Sequence, residues 1–345
     1  MSAPIPACCQ TVIGADGVRI AVLEHGGRVL GLYAPGSDRN FLWTHRAMAS
    51  EAGAVELFGS DQWHNSGGDR TWIAPEVDFF LPRFPDTSIY VQQRELDPGR
   101  YKLTMERSAA VLQARMSLRS SRTGEDVQLR IARRVAPATQ PLRHERGVDA
   151  GVAYAGYTLI TSLELVSPSR TAVGLWQLLQ LPHGGEMLIP TYAGARPLVY
   201  FGSIADRDLS AEQGLVRYAM RSPGEHKIGI RAVSTTGRVG YAWRDGGQWS
   251  LVVRDFGVDP SGQYVDVPWS DPADLGYAVQ ACNVSNAALG SFSELEYHVP
   301  AIGGDTGRIQ CEDVSQVWAF RGTHIAIADV SRRLLGAAPR EEEQA

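Results

Sequence analysis

The sequence predicts an all-β protein: a large antiparallel sandwich in one domain, with few short helices. Three observations predict it. Short runs of strand composition recur through most of the 345 residues. Gly-, Pro- and Asp-containing turn clusters separate them, as at His25-Gly26-Gly27, Asp97-Pro98-Gly99 and Asp245-Gly246-Gly247. Runs with the helical period are few. No linker divides the chain, so a single domain is read over residues 13–337, too large for a small barrel. An arm at 1–12 precedes it. A charged tail at 338–345 follows and is expected to be disordered.

The elements follow in order. Val18 to Leu23 and Arg28 to Tyr33 form a hairpin, with a Gly-Gly turn between two β-branched runs. Pro35-Gly36-Ser37-Asp38 turns the chain again before Phe41-Leu42-Trp43. Strands are expected at Ser88 to Arg94, Tyr101 to Glu106, Val111 to Leu118 and Val127 to Val135. In the last, Val127, Leu129 and Ile131 share one face and Gln128 and Arg130 the other, the period-two mark of a half-buried strand. Gln140 to Gly151 is a polar loop, with His144 solvated. Further strands are read at Tyr157 to Val166, Val173 to Leu181, Val199 to Ser203, Arg217 to Met220, Lys227 to Ser234, Arg238 to Trp243, Trp249 to Phe256, Ala278 to Cys282 and Phe292 to Val299. Ile327 to Leu335 is the most plausible helix.

Composition excludes several classes. A formal charge of −5 leaves no basic footprint, so no nucleic acid is expected as partner. Lys102 and Lys227 are the only lysines, which reads as codon usage. Cys8, Cys9, Cys282 and Cys311 make neither a disulfide framework nor a zinc spacing. That, with no leader-like pattern in Met1 to Gln10, suggests a cytoplasmic protein. No window approaches the ~20 apolar residues of a membrane span, so no membrane is expected. No phosphate-cradling Gly-rich loop or Gly-x-Ser-x-Gly elbow is present, and no cofactor is expected.

The densest chemistry lies in Asp61 to Glu76, which holds two tryptophans, a histidine, an arginine, carboxylates and the pair Gly67-Gly68. The glycines let the backbone turn or approach a ligand closely, and Pro75 argues against a continuous helix. The window reads as a loop ending in a short strand at a cleft. Asp61, His64, Asp69 and Glu76 match no defined metal loop, so no metal site is assigned. Near the C-terminus, Glu294, Glu296 and His298 alternate on one strand and share a face. Three ionisable groups there line a cleft or face solvent. A neighbouring carboxylate would raise the pKa of Glu294 or Glu296.

Two stretches resemble the galactose mutarotase-like superfamily of aldose 1-epimerases. One is His25-Gly26-Gly27-Arg28-Val29-Leu30-Gly31-Leu32 with Phe41-Leu42-Trp43. The other is Phe292-Ser293-Glu294-Leu295-Glu296-Tyr297-His298-Val299-Pro300. A closer resemblance, to an uncharacterised group within that superfamily, is carried by Gly67 to Glu76, Trp176-Gln177-Leu178-Leu179-Gln180-Leu181-Pro182 and Glu294-Leu295-Glu296. The resemblance implies an antiparallel β-supersandwich, a small-molecule carbohydrate as partner, and Glu296 as catalytic base. The epimerases also carry a His-Pro-Tyr-Phe-like segment whose histidine is the acid. Gly174 to Pro182 has none, so His64 or His183 is the expected acid.

The residues then take the following expected roles. Glu296, His64 and His183 are catalytic. Arg70 would bind a hydroxyl or a carboxylate through its planar fork. Trp72 and Trp176, with Trp63, would stack on sugar faces. Asp69, Gln177, Gln180, Glu294 and His298 would contact the substrate. The leading function is an epimerase (mutarotase)-type isomerase using general acid–base catalysis, as a monomer or homodimer. The alternatives are a uronate lyase, with Arg70 on the substrate carboxylate, and a non-catalytic carbohydrate-binding protein.

Overall fold

The structure, a computed structural model, describes residues 8–60, 62–148, 151–192 and 194–341. Nineteen strands, β1 to β19 in chain order, form two sheets among these residues. From edge to edge the nine-stranded sheet holds Gln10–Ile13 (β1), Arg19–Leu23 (β2), Arg28–Tyr33 (β3), Asp69–Ala74 (β4), Gly174–Pro182 (β9), Gly290–His298 (β18), Val279–Asn286 (β17), Gly224–Ile230 (β14) and Leu198–Phe201 (β11). The ten-stranded sheet holds Leu209–Glu212 (β12), Leu215–Ala219 (β13), Glu186–Pro190 (β10), Arg238–Asp245 (β15), Gln248–Phe256 (β16), Gln310–Gly322 (β19), Ala153–Leu165 (β8), Asp126–Pro137 (β7), Ala110–Arg119 (β6) and Lys102–Met105 (β5). The neighbouring strands pair antiparallel, and short connections make that pairing natural.

The main core lies between the sheets. Val127, Leu129 and Ile131 of β7 are buried there, as their alternation predicts, beside Leu159, Leu175, Leu179, Leu181 and Leu295. Each such side chain contributes roughly 1.5–3 kcal/mol when fully buried. Three α-helices decorate the sandwich: Glu51–Gly59 (α1), Glu76–Phe79 (α2) and His324–Leu335 (α3). No helix among the described residues is long and apolar enough to cross a membrane.

Several boundaries differ from the sequence reading. Ser88 to Arg94 is not a strand. Gln93 accepts from Arg119 N at 2.8 Å and donates to Phe79 O and Arg119 O, both at 2.9 Å, so a side chain fastens this segment where a ladder would have been. β10 and β12 were not anticipated, each being only four or five residues long. Nor was α1, which starts at Ser50, whose hydroxyl accepts from Gly53 N. α3 begins three residues earlier than expected because Thr323 caps it, its hydroxyl accepting from Ala326 N. The arm read over 1–12 lies outside the described residues up to residue 7, and from Gln10 the chain is strand, paired with β2. The tail is held as far as residue 341: Ala338 O accepts from Arg217 and Arg340 N donates to Glu186, both at 2.9 Å. Residues 342–345 lie outside the described ones.

Candidate functional site

The outer face of the nine-stranded sheet carries a cleft of about 450 Å³, the size range of small-molecule sites. Its floor is built by period two from five adjacent strands. β4 contributes Arg70 and Trp72, β9 Trp176 and Leu178, β18 Phe292, Glu294 and Glu296, β17 Cys282 and Val284, and β14 Glu225 and Lys227. Register sets the neighbours: Arg70, Leu178 and Glu296 form one cross-strand row, and Lys227, Cys282 and Glu294 the next. Glu76, Tyr90, Trp63, Trp269 and Phe201 complete the walls.

At its centre Lys227 Nζ lies 3.2 Å from Glu296 Oε2 and 3.9 Å from Glu76 Oε2. The ammonium also sits 4.5 Å from the Trp176 ring centroid, a favourable cation–π placement. Trp176 Nε1 donates to Glu296 Oε2 at 2.7 Å. Glu76 accepts from Tyr90 OH at 2.7 Å and from Trp269 Nε1 at 3.0 Å. On the other side, Glu294 Oε1 accepts from Arg70 Nη2 at 3.0 Å and Gln180 Nε2 at 2.9 Å. The Arg70 guanidinium lies 4.2 Å from the Trp72 ring centroid. Its Nε and Nη1 are buried without a hydrogen-bond partner among the described residues.

Burial raises the Glu296 carboxyl to about 7; Glu294 and Glu76 push the same way, against Lys227 and the Trp176 N–H. Burial also raises Glu76, against Lys227. For Lys227 burial works against the charge, but Glu296, Glu76 and Asp266 outweigh it and hold the ammonium above its ordinary pKa. The cleft therefore presents an ammonium in contact with a carboxyl raised to about 7, a proton donor beside a group that changes charge near neutrality.

Cys282, Glu294 and Glu296 each offer a ligand atom, all within 4.8 Å of one another. Lys227 and Arg70 already pair with the two carboxylates. Burial and those same carboxylates hold the Cys282 thiol well above its usual pKa. A cation there would have to displace both a lysine and a proton.

Of the residues singled out in sequence, Glu296, Glu294, Arg70, Trp72, Trp176 and Trp63 line the cleft. The indole N–H groups of Trp176 and Trp72 are committed, to Glu296 and to Asp97. Gln180 reaches Glu294 from the same sheet face. His298 is on that face too but buried. Neither ring nitrogen is hydrogen-bonded among the described residues, Nε2 is 3.8 Å from Asp266, and burial followed by the Lys227 charge puts its pKa well below normal.

Asp69 and Gln177 point the other way, into the sandwich, because each is an odd number of residues from Arg70 or Trp176. Asp69 is fully buried and takes Arg133, Arg254 and Tyr157 as partners; Gln177 accepts from Thr71. His64 lines a separate hollow, and His183 sits 3.0 Å from Asn283. No histidine among the described residues lines the cleft. Asp61 lies outside the described residues.

Lys227, Tyr90, Trp269 and Cys282 were missed as site residues. For Lys227 a signal existed: it alternates with Ile228 and Ile230 on a strand, where a lysine has to face a cleft or solvent.

A family model described as a family of unknown function (DUF6786) matches residues 20–344. The chain belongs to the DUF6786 family. No curated protein matches it. Among solved structures, it is similar to a galactose mutarotase-like protein from Lactobacillus casei ATCC 334. That likeness has 9% identity and a TM-score of 0.52, and covers 90% of this chain and 99% of that one. It is also similar to a putative aldose 1-epimerase from Escherichia coli K12, at 10% identity and a TM-score of 0.52, covering 91% and 99%. At such identities the likeness is one of fold, and this DUF6786 member has a galactose mutarotase-like β-sandwich. Its chemistry rests on its own cleft.

Proposed function

We propose that the protein binds a sugar in this cleft and interconverts its anomers, as an epimerase-type enzyme. The observation that carries the reading is the direct Glu296–Lys227 contact between aromatic walls. Glu296 takes the proton of the anomeric hydroxyl while the Lys227 ammonium gives one to the ring oxygen, so the C1–O5 bond opens to the aldehyde. After rotation about C1–C2, Glu296 returns its proton to the aldehyde oxygen and the neutral Lys227 amine takes the proton of the O5 hydroxyl as the C1–O5 bond re-forms on the other face. The cycle closes without net proton change, and Lys227 takes the part expected of a histidine. Arg70, with donors to spare, holds a hydroxyl, and the tryptophans pack against the ring's apolar faces.

The experiment is exchange NMR of anomers over a panel of free sugars. Wild type is expected to speed exchange of at least one, and both Glu296→Gln and Lys227→Met to lose about a hundredfold or more, the scale of a general acid–base contribution. Equal rates for wild type and Glu296→Gln would sink the reading.

A uronate lyase is disfavoured by the pairing of Arg70 with Glu294; formation of an ultraviolet-absorbing double bond from uronate oligomers would reinstate it. A non-catalytic sugar-binding role is favoured by one observation, that Glu296 is already held by Trp176 and Lys227. Sugar affinity surviving Glu296→Gln, with no turnover by wild type, would establish it.

A further inference from the structure

The cleft does not stand alone. Beside it opens a second hollow of about 350 Å³, bounded by His25, Phe58 and His64. Trp63, Tyr90 and Gln92 belong to both. The two spaces therefore adjoin, with these three residues as their common wall.

Their chemistry differs in a way that points to a ligand. In the first cleft the carboxylates are all engaged, Glu296, Glu294 and Glu76 by Lys227, Arg70, Trp176, Tyr90 and Trp269, and Glu225 by Asn286. In the second the side chains of His64 and Gln92 make no hydrogen bond among the described residues. On the shared wall Trp63 Nε1 is buried without a partner among the described residues. The second hollow also has aromatic surface, with the His25 and Phe58 rings stacked at 4.0 Å. Aromatic faces flanked by uncommitted polar groups are what a pyranose ring, apolar on its faces and hydroxylated at its rim, requires.

We infer that the ligand is at least a disaccharide. Its terminal ring lies beside Glu296 and Lys227, and the adjoining ring in the His64 hollow. This rests on the carbohydrate reading above and adds the size class of the substrate. It also gives His64 a use, as a specificity-determining residue for the second ring.

Isothermal titration with matched probes tests it: glucose against maltose and cellobiose, galactose against lactose, and N-acetylglucosamine against its β-1,4 dimer. For at least one pair the disaccharide is expected to bind about tenfold more tightly, the yield of one or two extra net hydrogen bonds. His64→Ala should bring that ratio to within about twofold of one. His64→Trp, which fills the hollow, should invert it. Because His64 is half-buried, both variants are expected to fold. Monosaccharides binding as well as their dimers in every pair, or a dimer preference untouched by both variants, overturns the inference alone. Failure of every probe to bind overturns it together with the carbohydrate reading.

Discussion

Glu296 is where charge and chemistry meet. Its carboxyl titrates near 7 in the fold against an ordinary 4.5, with burial the largest cause. A folded pKa above the unfolded one stabilises the protonated form. The group's stabilising contribution is thus complete below about pH 4.5 and is lost as pH rises through 7, amounting to about 3 kcal/mol in all. The proposed role as a base runs the opposite way, since only the carboxylate accepts a proton. Anomer exchange should therefore rise between about pH 6 and 8, while melting temperature falls at lower pH, from about 4.5 to about 7. Glu296→Gln should flatten the fall, which calorimetry at pH 5 and 8 will read. An unchanged slope in the variant would mean that another carboxyl, Glu76 foremost, takes up the proton.

At the scale of elements, strand parity decides most of the site. Arg70 and Trp72 reach the cleft while Asp69 and Thr71 between and beside them do not; Trp176 and Leu178 do while Gln177 does not. Alternation was readable in the sequence, and it served well for Glu294 with Glu296. Applied to Gln177 and Gln180 together, it would have shown that they cannot share a face. The lost histidine acid has another cause. His64 and His183 owe their places to loop paths, which no local pattern encodes; for Lys227 alternation marked the face, but only the long-range pairing of β14 with β17 brings it to the row of Glu294. The Gly67-Gly68 turn feeding β4 was also legible, for a reason the structure supplies. Both glycines have positive φ, and a Cβ on Gly68 would stand 2.2 Å from Val29 O. Gly68→Ala should therefore cost about 1–3 kcal/mol in a urea titration and disturb the placement of Arg70. A variant as stable as wild type would show that the turn relaxes freely.

Across the whole molecule, the two sheets are joined by charge as well as by apolar packing. Asp69 of β4 is held by Arg133 of β7, Arg254 of β16 and Tyr157 of β8, all fully buried. Removing that anion leaves Arg133 without its carboxylate and Arg254 with Asp313 alone, so Asp69→Ala should cost about 3–5 kcal/mol. The expected sign is a large loss of melting temperature. Asp69→Ala with wild-type stability would mean that Asp97, which pairs with Arg28 nearby, can take over. Because Arg70 follows Asp69 directly, the fastening between the sheets and the cleft floor belong to one stretch of backbone.

The scarcity of lysine turns one of these groups into a reporter. Besides the α-amino group, the chain carries only two primary amines. Lys102 is exposed, and Lys227 is buried with its pKa raised, so it is shielded from acylating reagents twice over. Brief treatment with an acetylating ester should therefore mark Lys102 and leave Lys227 bare. Slow marking of Lys227, read by peptide mass spectrometry, would time the opening of the cleft, and a bound sugar should slow it further. The composition thus supplies a chemical clock at the centre of the site without any engineered label.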